Sequence, residues 1–130
     1  MKNWRLVIII LVPLLAFADV SKTFDWTAPT QRTNGDALAL TDIASYEIRC
    51  STASGGPYNL YTSGAILANG QPSQSFTASN AFTEGTYYCV ATDTDTNNLT
   101  SDNSNEINFT VGHCDVTDCR PMPPILNVGN

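Results

Sequence analysis

Ser45-Tyr46-Glu47-Ile48-Arg49-Cys50-Ser51 puts Tyr46, Ile48 and Cys50 on one side of an extended chain and Glu47 and Arg49 on the other. Side chains alternate across a strand with a period of two, so this stretch reads as a strand with one face in a core. Thr86-Tyr87-Tyr88-Cys89-Val90-Ala91-Thr92 repeats the pattern through Tyr87, Cys89 and Ala91. Working outward, Val20 to Thr27 alternates through Val20, Phe24 and Trp26, and Ile107, Phe109 and Val111 share one face of a last strand. Tyr58 to Thr62 and Ser73 to Ala78 read as shorter strands. Reversals fall at Asn34-Gly35, Ser54-Gly55-Gly56-Pro57 and Asn69-Gly70, where glycine and asparagine supply the backbone angles that tight turns need. Many short strands separated by turn signals predict an all-β antiparallel sandwich around one core.

The first residues read differently. Lys2 and Arg5 precede an apolar run from Leu6 to Leu15, and Ala16-Phe17-Ala18 has the small-x-small pattern of a signal peptidase site. The run is shorter than the roughly 20 apolar residues of a membrane span. Residues 1–18 are therefore expected to be a signal peptide, 19–112 one domain, and 113–130 a Cys- and Pro-rich tail. The leader carries two of the six cationic residues, so the exported chain is more acidic than the formal −6 of the full sequence. Lys22, Arg32, Arg49 and Arg120 remain against twelve acidic residues, without a basic cluster. That balance argues against nucleic acid and against an anionic membrane as partners after export.

Four cysteines behind an export signal imply disulfides, and three pairings are open. Cys50 and Cys89 stand far apart, and Cys114 and Cys119 have only His113 near them, so the spacing does not suit a zinc site.

Several stretches resemble a fibronectin type III domain of the secreted bacterial type. Phe24-Asp25-Trp26-Thr27-Ala28-Pro29-Thr30 looks like that family's strand B, and Thr41-Asp42-Ile43-Ala44-Ser45-Tyr46-Glu47-Ile48 like the entry into strand C. Gly85-Thr86-Tyr87-Tyr88 resembles the start of strand F, with Phe82 where the family usually has Leu, and Ser104-Asn105-Glu106 the opening of strand G. The resemblance covers about residues 20 to 111. It implies a fibronectin type III-like (immunoglobulin-like) antiparallel β-sandwich with Trp26, Tyr46, Ile48, Phe82 and Tyr87 in the core. Tyr87 would be a tyrosine corner, its hydroxyl bonded to backbone upstream. Pairing of strands C and F implies a Cys50–Cys89 bridge, which leaves Cys114 and Cys119 for a small local loop.

The resemblance also implies a gap. Cleavage after Ala18 would start the chain on strand B, with no residues for the strand A that normally precedes it. Arg120-Pro121-Met122-Pro123-Pro124-Ile125-Leu126-Asn127-Val128 is similar to such a strand A, and Ile125, Leu126 and Val128 are its candidate donor residues.

Catalytic constellations are sparse. The sequence holds no Gly-rich phosphate loop, no His-Glu-x-x-His and no Gly-x-Ser-x-Gly, and a single histidine. Oxygen donors at alternate positions from Asp93 to Asn98 suit calcium, yet turn chemistry accounts for the same residues, and the glycine and terminal glutamate of an EF-hand are missing. Asp93, at an inward position of the strand, suggests that the strand has left the core by then. The expectation is a secreted, extracellular or periplasmic, non-enzymatic interaction or adhesion module without cofactor or metal. Its partner would be a cell-surface protein or glycan, held by the loops around Asn34-Gly35 and Asp93 to Asn103. The alternative is a filament subunit that binds copies of itself by donating the tail strand.

Overall fold

A computed structural model of the chain describes residues 20–112. The alternating stretches quoted above form β2 (Ile43–Ser51) and β6 (Gly85–Asp95), paired antiparallel with Tyr46 opposite Asp93, Ile48 opposite Ala91 and Cys50 opposite Cys89. The other strands are β1 (Val20–Thr27), β3 (Tyr61–Thr62), β4 (Ile66–Leu67), β5 (Ser73–Phe82) and β7 (Ile107–Val111), and one 3-10 turn spans Leu40–Asp42. They make two antiparallel sheets. One is β1–β5; the other runs β3-β2-β6-β7, with β4 also paired to β2. The protein is an all-β sandwich, and among the described residues no helix is long and apolar enough to cross a membrane.

The core forms where the inward faces meet. Phe24, Ala78 and Phe82 come from the small sheet, and Ile48, Cys50, Tyr87, Cys89 and Val111 from the large one. Phe82 is fully buried, with the rings of Tyr87, Phe109 and Tyr61 at 4.9, 5.0 and 5.1 Å and that of Phe24 at 6.2 Å. Edge-on and tilted contacts of this kind add to the burial of aromatic area. The Tyr87 hydroxyl reaches back to the Thr83 carbonyl at 3.2 Å, closing the turn between β5 and β6. A second cluster of Ala28, Leu38, Ile43 and Tyr46 lies at the other end of the sandwich.

Cys50 and Cys89 are bonded to each other across the β2–β6 pair, and both are buried. Cys114 and Cys119 fall outside the described residues, as do residues 1–18, expected to be a signal peptide, and the candidate donor residues Ile125, Leu126 and Val128.

Some elements differ from expectation. Trp26 is half-buried between the two clusters and not a full core residue. The strand expected to end at Ala78 continues to Phe82. Between the pairs Val20–Phe82 and Lys22–Ala78, β5 carries extra residues, with Asn80 at φ 49° and its N–H on Ser21 Oγ at 2.9 Å. This bulge breaks the alternation that marks a strand in sequence. Of Tyr58 to Thr62, only Tyr61 and Thr62 pair. The strand holding Asp93 does not leave the sheet there; it continues to Asp95, because Asp93 still pairs with Tyr46. Ile107, expected inside, is exposed.

The Cys50–Cys89 bridge ties residues 39 apart in sequence. In the chain-entropy model such a loop is worth roughly 3–4 kcal/mol. Guanidinium unfolding of a Cys50→Ala/Cys89→Ala variant should show at least that loss against the oxidised protein.

Candidate functional site

Two loops expected to act together do meet at one end of the sandwich. Residues 31–37 form a small hairpin closed by the Gln31–Ala37 bridge, with Gly35 at φ 90° donating its N–H to the Arg32 carbonyl. The segment after β6 turns on Asp95. Its Oδ1 accepts the N–H groups of Asn97 and Leu99, both at 2.9 Å, while Asn98 takes φ 63°. Its Oδ2 accepts Arg32 Nη1 at 2.7 Å, which joins the two loops. The guanidinium and the turn amides hold the Asp95 carboxyl below its ordinary range, and Asp95 raises Arg32. An open cleft of about 380 Å³ lies between the loops, with Pro29, Leu38, Leu99 and Thr100 in its walls.

This end offers little free chemistry. Both Asp95 oxygens are committed, to the turn amides and to Arg32, and Thr94 Oγ1 is bonded to Thr100 Oγ1 at 3.0 Å. Among the described residues no three His, Cys, Asp or Glu side chains converge on a point where a cation could sit. Arg49 is also committed, through Nη2 to Asn103 Oδ1 at 2.7 Å.

A second carboxylate acts as a clamp that sequence reading missed. Glu106 opens the segment before β7, and its oxygens accept Ser54 Oγ at 2.7 Å, Gly55 N at 2.8 Å and Tyr58 Oη at 2.5 Å. These three donors depress the Glu106 carboxyl, and the same bond raises the Tyr58 phenol. The turn Ser54-Gly55-Gly56-Pro57 was legible, but not the anion it would recruit from residues about 50 positions away.

The most open feature lies between the sheets. Within β1, Phe24 and Trp26 face inward, and no described strand pairs with its outer edge. Between that edge and β6–β7 runs a groove of about 530 Å³, with Phe24 and Trp26 on one side, Ala91 and Ile107 on the other, and Ile48 and Cys89 also lining it. At the end of the sandwich where β1 begins, the Lys22 ammonium spans the gap to lie 5.2 Å from the Phe109 ring centroid. Toward the other end Ile107 is exposed beside the groove. The Trp26 ring packs on Tyr46 at 5.1 Å, yet its buried Nε1 has no hydrogen-bond partner. Burial raises the Tyr46 phenol; the nearby indole N–H opposes that rise without reaching hydrogen-bonding geometry.

The outer edge of β5 is tied down at its start. Gln74 ties it to the 67–69 segment, donating to the Leu67 carbonyl at 2.8 Å and accepting the Asn69 N–H at 3.1 Å. The edge of β1 is the one that borders the groove.

No family model, curated protein or solved structure matches this chain.

Asp95 and Glu106 titrate below their unfolded values. The stability they contribute is complete above the unfolded values, about pH 4, and is lost as pH falls through the depressed ones. Melting curves from pH 7 to pH 2 should show the midpoint dropping below about pH 4. A Glu106→Gln/Asp95→Asn variant should melt lower at pH 7 and lose most of that acid limb.

Proposed function

We propose that this chain is an exported, non-enzymatic interaction module of the fibronectin type III kind that binds its partner by taking an extended polypeptide strand along β1. The carrying observation is the unpaired β1 edge bordered by an apolar groove. An exposed edge presents unused N–H and C=O groups, and an added strand satisfies them while its alternate side chains enter pockets beside it. Phe24, Trp26, Ala91 and Ile107 supply those pockets.

The strand arrangement supports the family reading. The segments resembling strands C, F and G are β2, β6 and β7, neighbours in one sheet, and the segment resembling strand B is β1, in the other. The Cys50–Cys89 bond fits an oxidising compartment outside the cytoplasm. The loop end supports a protein or glycan ligand less well, because Arg32 and Asp95 satisfy each other.

Trp26 is the sole tryptophan beyond the leader, so it reports on the groove directly. The test uses full-length exported chain carrying Ile125→Asp, Leu126→Asp and Val128→Asp, so that its own tail cannot compete. A decapeptide of alternating Val and Thr should slow hydrogen exchange of alternate amides in residues 20–27 and shift Trp26 emission to shorter wavelength. Adding Ile107→Lys, at an exposed position, should abolish both effects while leaving the circular dichroism spectrum unchanged. Unaltered exchange and emission at millimolar peptide would remove this reading.

A further inference from the structure

We propose that the strand taken up along β1 is Pro123–Asn130 of a second copy of this chain, so that copies join head to tail into an open filament. This rests on the strand-accepting reading and adds the identity of the strand.

Polarity carries the argument. β7 ends at Val111 opposite Gly85, and β1 begins at Val20 opposite Phe82. Phe82 and Gly85 flank one tight turn, so the chain leaves β7 at the end of the sandwich where β1 starts. The groove opens toward the other end, where Thr27 lies opposite Ser73 and where Ser104 and Asn105 stand before β7. A strand antiparallel to β1 therefore enters at the end remote from this chain's own exit. The exit of one copy stacked on the entry of the next meets that requirement directly. Self-insertion in the same sense requires the tail to run back along all eight residues of β1 before turning in. At ~3.3 Å per residue that return is about 26 Å.

The tail has the chemistry of an added strand. Pro123 and Pro124 lack N–H groups and suit the start of a strand, where no ladder bond is required of them. Pro123 to Asn130 matches the eight residues of β1. In an extended chain Leu126 and Val128 share one face, which in the added strand would turn to Phe24 and Trp26, with Ile125 ahead of them in the chain. Asp25 is the charged residue of the groove lining, and Arg120 is the cation of the tail, just ahead of the donor segment. A donor patch and an acceptor patch on different parts of one molecule make a heterologous contact, which extends without closing.

The test is sedimentation velocity and negative-stain microscopy of the exported chain over a wide concentration range. The expected result is a mass that rises with concentration and threads one sandwich wide. The donor variant (Ile125→Asp/Leu126→Asp/Val128→Asp) and the acceptor variant Ile107→Lys should each sediment as monomers. An equimolar mixture of the two should give a species of twice the monomer mass and nothing longer, since one intact tail meets one intact groove.

Assembly of either variant at the wild-type level overturns the proposal, and so does a mixture that stays monomeric. A wild-type monomer whose β1 amides are already protected, and lose that protection in the donor variant, also overturns it by showing the tail in its own groove. Decapeptide binding combined with a monomeric, unprotected wild type leaves the groove reading standing and removes this one. Failure of the decapeptide removes both.

Discussion

Phe82 is the point on which the two sheets agree. Among the described residues one sheet has two strands and little area to bury, so it holds the large sheet through a few large side chains. Phe82 does this from the end of β5, meeting Tyr61, Tyr87 and Phe109 of the opposing sheet and Phe24 of its own. Its position depends on the bulge at Asn80, which carries β5 past Ala78 and lets a second buried residue follow. The Cys50–Cys89 bond stiffens the facing surface, so the rings close on a floor that cannot spread.

The same economy explains the open side. Packing around Phe82 fills the sandwich near the start of β1, where Lys22 also reaches across to Phe109. Farther along, the β1–β5 sheet has no third strand among the described residues, and the inward faces of Phe24 and Trp26 extend beyond what β7 covers. Natural sheets generally blunt a long edge with charge, proline or a covering loop. Here Gln74 ties the start of the β5 edge to the 67–69 segment, and β3 and β4 are two residues each, while β1 is the edge that borders the groove.

The charged groups do structural work of a different kind. Asp95 and Glu106 each gather donors from segments distant in sequence and fix loops that carry few apolar contacts. Loops held by one buried or shared carboxylate keep a defined shape without a core of their own. That accounts for ordered loops at both flanks of β6 in a chain with so few cations.

Period-two alternation in 45–51, 86–92 and 107–111 determined the β class, and Val20 to Thr27 was legible to the residue as β1, because one buried face imposes its pattern on sequence. The pairing of Cys50 with Cys89 came from the family resemblance and the order of strands that it implied. Other features were decided only in three dimensions. The bulge that continues β5 to Phe82, the Glu106 clamp and the continuation of β6 to Asp95 each depend on a partner many residues away, whereas Ile107 is exposed because it borders the open groove. A groove is a property of two sheets failing to cover each other. No local pattern records that, since Phe24 and Trp26 read as inward residues whether or not anything lies across from them.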